Sequence, residues 1–154
     1  MPSSPLPHAE NPLLVRTDFT DDAAWAGLRA EVDDEYLTYV ADPAHRDLSP
    51  ADLLSLLPPD SPHPVLVVAD ATTFARDDHP LLVVDLDEEP GRTFRAAPDA
   101  VRTVVGNLSI QNMGFEDFLD SVSEDGDQDG VYRLHPRYFE ALAALRGTQP
   151  PPTR

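Results

Sequence analysis

Runs of consecutive apolar residues mark the strands of this chain. The clearest are HPVLVVAD at residues 63–70 and HPLLVVDLD at residues 79–87, in which apolar and polar residues do not alternate. Continuous runs of this kind are typical of central strands that are buried on both faces of a sheet. The segment between them, ATTFARDD, is too short for a helical crossover, so the pattern predicts an antiparallel pair. Shorter runs predict further strands in PLLVRTDF (12–19), YLTYVAD (36–42), TFRAAP (93–98) and VYRL (131–134).

Helical spacing of apolar residues predicts helices between these strands. A helix capped by Thr20 places Trp25, Leu28, Val32 and Tyr36 on one face. The segment SPADLLSLLPP, residues 49–59, has the marks of a second helix: Ser49 as cap, Asp52 completing a capping box and Pro58 as the stop.

The last third of the chain is predicted to be mainly helical. One short helix runs from Pro98 to Val105 and is ended by Gly106. A second contains Phe115, Phe118, Leu119 and Val122, and a third is formed by HPRYFEALAALRG, residues 135–147. The fold class is therefore α+β, a single domain over residues 12–146 with a mixed sheet of about four to six strands and packed helices. Residues 1–11 and the Pro-rich residues 147–154 are predicted to be disordered tails.

The net charge of the chain limits the classes of molecule that it is expected to bind. The chain of 154 residues has 28 acidic and 11 basic side chains, giving a formal net charge of -17, and every basic one is arginine. Such a surface repels nucleic acid and anionic lipid and attracts cations or basic proteins, although it also fits a surface that is acidic only for solubility. The absence of cysteine excludes disulfides and thiolate chemistry. No membrane span and no signal peptide is indicated, so we expect a cytoplasmic location.

One acidic segment resembles half of a calcium loop. In SEDGDQDGVY, residues 123–132, Asp125, Asp127 and Asp129 have the spacing of the first ligands of an EF-hand, and Gly130 stands at its turn. The position of the closing bidentate glutamate is occupied by Pro136, which has no side-chain oxygen. The segment is therefore predicted to be a solvated acidic turn, with weak binding of a divalent cation as the alternative.

A second pattern points to phosphoryl chemistry. LLVVDLDEE, residues 81–89, resembles the opening motif of haloacid-dehalogenase-type phosphatases, with Asp85 and Asp87 in the two aspartate positions. Glu89 stands where that motif has threonine or valine, and the chain has no lysine. A looser form remains, in which Asp18, Asp70 and Asp85 gather at strand ends and hold magnesium. The alternative is that aspartate begins the turns after the strands.

An amide-rich segment suggests where a ligand pocket would lie. NLSIQNMGFEDF, residues 107–118, places two asparagines and a glutamine among apolar residues. Such amides satisfy backbone groups in an irregular loop or face a ligand. If they face a ligand, the predicted pocket is formed where Asn107, Gln111 and Asn112 approach Asp85 and Arg95.

Several segments together resemble a known family. They are PLLVRTDFTDDAAW, HPVLVVADATTF, HPLLVVDLDEEPGRTFRAAP, NLSIQNMGFEDF and DGVYR, and they are similar to an uncharacterised, mainly actinobacterial domain family. The resemblance covers most of residues 12–134, and residues 79–118 are its most specific part. It implies no particular activity or ligand. Its members have a shorter acidic segment before the last of these motifs, which weakens the calcium interpretation.

These observations favour a small, acidic, cytoplasmic, non-enzymatic interaction protein that binds a basic protein partner, as immunity proteins and antitoxins do. No complete catalytic set is present, and no cofactor is expected beyond a possible divalent cation. The alternatives are a magnesium-dependent phosphoryl hydrolase that uses strand-end aspartates and a weak calcium-binding module.

Overall fold

A computed structural model describes residues 4–32, 36–124 and 130–134. The strands follow the predicted apolar runs: β1 (Leu13–Arg16), β2 (Thr38–Val40), β3 (Val65–Ala69), β4 (Leu81–Asp85), β5 (Thr93–Ala96) and β6 (Val131–Tyr132). The α-helices are α1 (Asp22–Val32), α2 (Pro50–Ser55), α3 (Ala71–Ala75), α4 (Val101–Ser109) and α5 (Phe115–Glu124), with short 3-10 turns at Pro43–His45 and Pro98–Ala100. The helix predicted over residues 135–147 lies outside the described residues.

All six strands form one mixed sheet in the order β2-β1-β3-β4-β5-β6. β1 is parallel to β2 and to β3, and β5 is parallel to β6, whereas β4 is antiparallel to both of its neighbours. The predicted α+β class, the single domain and the antiparallel pairing of β3 with β4 are therefore confirmed. Because β4 alone runs in the opposite direction, its carboxyl end lies at the edge where the other strands begin.

Helices cover both faces of the sheet. On one face α1, α4 and α5 pack their apolar sides against the strands in a core that includes Trp25, Leu28, Val104, Leu108 and Phe118. On the other face α2 and the N-terminal segment cover a smaller core that includes Leu6, Leu53, Val15, Leu66 and Val84. This double coverage is the physical reason that β3 and β4 are continuously apolar.

Part of the segment assigned to an N-terminal tail is packed against the domain. The Leu6 side chain is 3% exposed, and its backbone N–H donates to the Leu56 carbonyl oxygen at 2.9 Å. His45 Nε2 donates to the Ser4 carbonyl oxygen at 2.7 Å, and His63 Nε2 donates to that of Ala9 at 2.8 Å. Residues 4–9 therefore belong to the layer that covers the second core.

The boundaries of α1 and α4 differ from prediction, and α3 was not predicted. Asp21, and not Thr20, caps α1: its Oδ1 accepts the Ala24 N–H, while the Thr20 hydroxyl donates to Asp18. Helix α4 continues through Gly106 to Ser109 instead of ending at the glycine. The capping box of α2 is confirmed, with Ser49 and Asp52 bonding to each other's backbone N–H groups. Over the described residues, no helix is both long enough and apolar enough to cross a membrane.

Candidate functional site

The buried carboxylate of Asp85 organises the connection between β4 and β5. Asp85 as a residue is 1% exposed, and its Oδ1 accepts the Asp87 N–H at 2.9 Å. Its Oδ2 accepts the Glu89 N–H at 3.0 Å and the Arg92 guanidinium at 3.1 Å. Gly91 closes the turn with a φ of 101°, in the left-handed region that glycine adopts without strain, and its N–H donates to the Asp85 carbonyl oxygen.

These bonds fix the ionisation of Asp85. Burial by itself raises the pKa of this carboxyl, but the N–H groups of Asp87 and Glu89 and the Arg92 guanidinium outweigh it and lower the pKa below its ordinary value. Asp85 is therefore a charged carboxylate whose two oxygens are both occupied by the turn.

Arg92 connects this turn to α5. Its guanidinium bonds to Asp85 and, at 2.6 Å, to Glu116 Oε2, and it lies 5.3 Å from the centre of the Phe115 ring. Glu88 and Glu89 approach the same guanidinium at 3.7 and 3.4 Å. One arginine thus compensates several carboxylates and holds the start of α5 against the β4–β5 turn.

The connection between α4 and α5 forms the opposite wall. The end of α4 has the bonding pattern of a Schellman motif: the Gln111 N–H donates to the Leu108 carbonyl oxygen and the Asn112 N–H to that of Asn107. Gly114 directly precedes α5, and its N–H donates to Asp117 Oδ2 at 2.8 Å. The two turns place the amides of residues 111 and 112 opposite Asp85.

Between these walls lies a cleft of about 410 Å³, here called the acidic cleft. Its polar lining consists of Asp85, Asp87, Glu88, Gln111, Asn112 and Asp117, and its apolar lining includes Leu108, Met113 and Phe115. Of the described residues that line it, none is basic. Arg92 carries one positive charge against the carboxylates of Asp85, Glu88, Glu89 and Glu116, so the exposed carboxylates that line the cleft leave it with a negative potential.

The structure brings together three of the five residues predicted to form a ligand pocket. Asp85, Gln111 and Asn112 line the acidic cleft. Asn107 lies behind it, where its side chain donates to the Thr103 carbonyl oxygen and accepts from the Asn112 amide at 2.9 Å. Asn107 therefore orients Asn112 and stands outside the lining itself.

Arg95 lies outside the cleft. It forms a two-pronged pair with the Asp70 carboxylate, with both N–O distances at 2.8 Å. Phe94 and Ala96 face the core of α1, α4 and α5, so alternation along β5 directs Arg95 to the other face of the sheet. Burial opposes ionisation of Asp70, but the contact with Arg95 outweighs it and lowers the pKa of Asp70.

The hypothesis that the strand-end aspartates gather at one site is wrong. Asp18 and Asp70 follow β1 and β3 at one edge of the sheet, whereas Asp85 ends the antiparallel β4 at the other. Asp18 accepts the N–H and hydroxyl of Thr20, and Asp70 caps α3. These aspartates begin turns and helices, which is the structural role that the sequence also allowed.

No metal site is formed by the residues that the structure describes: it contains no group of three or more His, Asp or Glu side chains that could hold an ion. Asp125, Asp127 and Asp129 lie outside the described residues.

Sequence reasoning missed Arg92 and Asp117. Arg92 belongs to the turn sequence EEPGR, and nothing in that sequence indicates that it also reaches Glu116 on α5. Asp117 could have been found, because an acidic side chain at the third position of a predicted helix can accept the N–H of the residue that precedes the helix.

Comparison with known proteins places the chain in a family. No curated protein matches the chain. A family model described as a domain of unknown function, DUF6924, matches residues 11–135, which include every strand that the structure describes and the whole acidic cleft. The chain therefore belongs to the DUF6924 family.

Proposed function

We propose that this protein is a small, acidic, non-enzymatic interaction protein of the cytoplasm, and that it binds a basic protein partner through the acidic cleft. The observation that carries the proposal is the composition of this cleft. Carboxylates and amide groups surround apolar side chains, and the described residues that line the cleft include no basic side chain. A lysine or arginine of a partner can place its aliphatic stem on these apolar side chains and its charge among the carboxylates.

The state of Asp85 supports a binding role over catalysis. A nucleophile or general base needs an oxygen that can reach a substrate. Both oxygens of Asp85 are instead occupied by N–H groups of the turn and by Arg92, and its pKa is lowered. The alternative of a magnesium-dependent phosphoryl hydrolase also loses the gathered aspartates on which it depended. The calcium alternative concerns residues outside the described ranges.

The proposal is tested with two double variants of equal charge. Asp87→Asn with Glu88→Gln removes two exposed charges from the cleft. Asp77→Asn with Asp99→Asn removes two exposed charges at the opposite edge of the sheet. A protein captured by the wild-type chain is identified, purified and measured against all three chains by calorimetry.

We expect a basic partner whose affinity falls as salt rises, because exposed charges are screened within roughly 10 Å at 0.1 M salt. The cleft variant should bind about tenfold more weakly, and the control variant should stay within about twofold of wild type. A partner that binds both variants equally, or independently of salt, would contradict the role of the cleft.

A further inference from the structure

Three positions between residues 106 and 111 depart from what the local structure favours. Gly106 lies inside a helix, Ile110 is exposed, and Gln111 adopts a left-handed backbone. Local departures of this kind concentrate where a surface serves a function that the fold does not need.

Gly106 has no structural requirement for glycine. It is exposed in α4, its φ is not positive, and a Cβ built on it would meet no atom within 4 Å. Glycine in a helix costs about 1 kcal/mol relative to alanine. Because glycine has no side chain, the surface beside α4 stays open at this position.

Ile110 presents an apolar side chain to solvent. Its exposure is 74%, and no other large hydrophobic side chain in the described part of the chain is exposed. A lone exposed apolar residue is ordinary in itself. Ile110 stands, however, on the rim of a second cleft of about 400 Å³, whose lining includes Tyr36, His63, Arg102, Gly106 and Glu10. We call this the Ile110 cleft.

Gln111 occupies the position after the helix where glycine is usual. Its φ is 58°, and a side chain other than glycine costs about 1–2 kcal/mol in this conformation. Its side chain lines the acidic cleft. Gln111 thus occupies a backbone position that disfavours it and lies at the proposed binding region.

We propose that the end of α4, from Gly106 to Gln111, is the docking surface for the partner. This inference rests on the proposed function and specifies the partner's chemistry. The partner presents an aliphatic side chain to Ile110 and the space beside Gly106, and an adjacent arginine or lysine enters the acidic cleft.

Charge complementarity selects this partner. The exposed carboxylates of Asp87, Glu88 and Asp117 lie on one side of the helix end, and Glu10 lies on the other. Arg102 is the single arginine among the described residues that line the two clefts, and its guanidinium lies over the Tyr36 ring, 5.7 Å from its centre. An apolar anchor beside a basic residue fits this surface, and an acidic neighbour would be repelled.

The sequence supplies a direct probe, because Ile110 is the only isoleucine in the chain. Full-length protein labelled at the isoleucine δ1 methyl and at nitrogen gives one methyl signal at this surface and a side-chain amide signal for Gln111. It is titrated with three capped tetrapeptides that contain alternating leucine and arginine, serine and arginine, or leucine and glutamate.

We expect the leucine–arginine peptide to shift both signals and to bind most tightly. The serine–arginine peptide should shift only the Gln111 amide, and the leucine–glutamate peptide should shift neither. If neither basic peptide moves the Gln111 signal at low salt, the proposed function fails. If both basic peptides move it equally and the Ile110 methyl does not respond, the acidic cleft stands and only this further inference is overturned.

Matched variants at two exposed helical glycines provide a second test. Gly27→Leu on α1, outside both clefts, should leave peptide affinity within about twofold, whereas Gly106→Leu places a side chain in the Ile110 cleft and should weaken the leucine–arginine peptide about tenfold. Both variants should melt at or above the wild-type temperature, because leucine favours helix over glycine. Equal binding by wild type and Gly106→Leu overturns the inference.

Two other occupants of this surface are also distinguished. Self-association of the wild type that Ile110→Ser abolishes would assign the surface to a second copy. Magnetisation transfer between the Ile110 methyl and residues 135–154 in the free protein would assign it to the chain itself. Either result overturns docking by a basic partner.

Discussion

The substitution Asp85→Asn tests whether this carboxylate holds the β4–β5 turn or is free for chemistry. In the wild type, Oδ1 accepts one backbone N–H, and Oδ2 accepts a second together with the Arg92 guanidinium. Asparagine keeps one oxygen and replaces the other with a donor. The new amide NH2 group must face another donor, because in the wild type N–H groups approach both carboxylate oxygens of Asp85.

The expected cost follows from these contacts. A hydrogen bond to a charged partner contributes about 1.5–3 kcal/mol, and a buried donor left without an acceptor costs about 1–3 kcal/mol. Partial relaxation of the turn reduces the sum, so we expect Asp85→Asn to lower the free energy of unfolding by about 3 kcal/mol. For a domain of this size the melting temperature should fall by roughly 6–12 °C.

The assay is urea unfolding at pH 7, followed by circular dichroism, with thermal melting as a second measure. The control is Asp87→Asn, which changes an exposed side chain and keeps the backbone N–H that donates to Asp85. The control should stay within about 0.5 kcal/mol of wild type. If Asp85→Asn were equally harmless, the carboxylate would not hold the turn, and the argument against its use in catalysis would collapse.

Four further outcomes are expected. Gly106→Ala should raise the free energy of unfolding by about 0.5–1 kcal/mol, and a decrease would show that the glycine is needed for packing. The pKa values of Asp70 and Asp85 are lowered in the folded state, so their ionised carboxylates stabilise the fold at neutral pH. This stabilisation should be lost as the pH drops below about 3.9, the pKa of an aspartate in the unfolded chain, and the two groups become protonated. Melts between pH 7 and 3 should show a shallower loss for Asp70→Asn, and an identical pH dependence would contradict the assignment. Leu6→Ala should cost about 2 kcal/mol in urea unfolding, whereas a disordered tail would give no change. Millimolar calcium should leave the melting temperature unchanged, because Pro136 removes the closing ligand, and a clear rise would restore the calcium interpretation.

Much of the fold could be predicted because its signals are local. The apolar runs of β3 and β4 and the capping box of α2 depend on residues within one element, and the structure has them where the sequence indicates. The end of α4 could not be placed in this way. Gly106 has the usual identity of a helix stop, but the helix ends where Gln111 takes the left-handed backbone.

The residues of the candidate site were likewise predicted only in part. Asp85, Gln111 and Asn112 were predicted to approach each other, and the structure places all three around one cleft. Arg95 was predicted to join them and instead pairs with Asp70 across the sheet. Whether a strand residue faces one core or the other depends on the strand register and on which helices cover each face of the sheet. Neither property can be derived from a short stretch of sequence.

Hydrophobic periodicity, capping residues and charge are properties of neighbouring residues, so the strands, most helices, the mixed single-domain class and the strongly acidic composition follow from the sequence. The reversal of β4 relative to β3 was predicted as well, but its consequences at the two edges of the sheet depend on the tertiary structure. That reversal separates Asp85 from Asp18 and Asp70, and it brings Asp85 to the end of α4. Strand direction and helix placement join residues that are far apart in the chain, so the acidic cleft and its neighbour at Ile110 exist only in the folded protein.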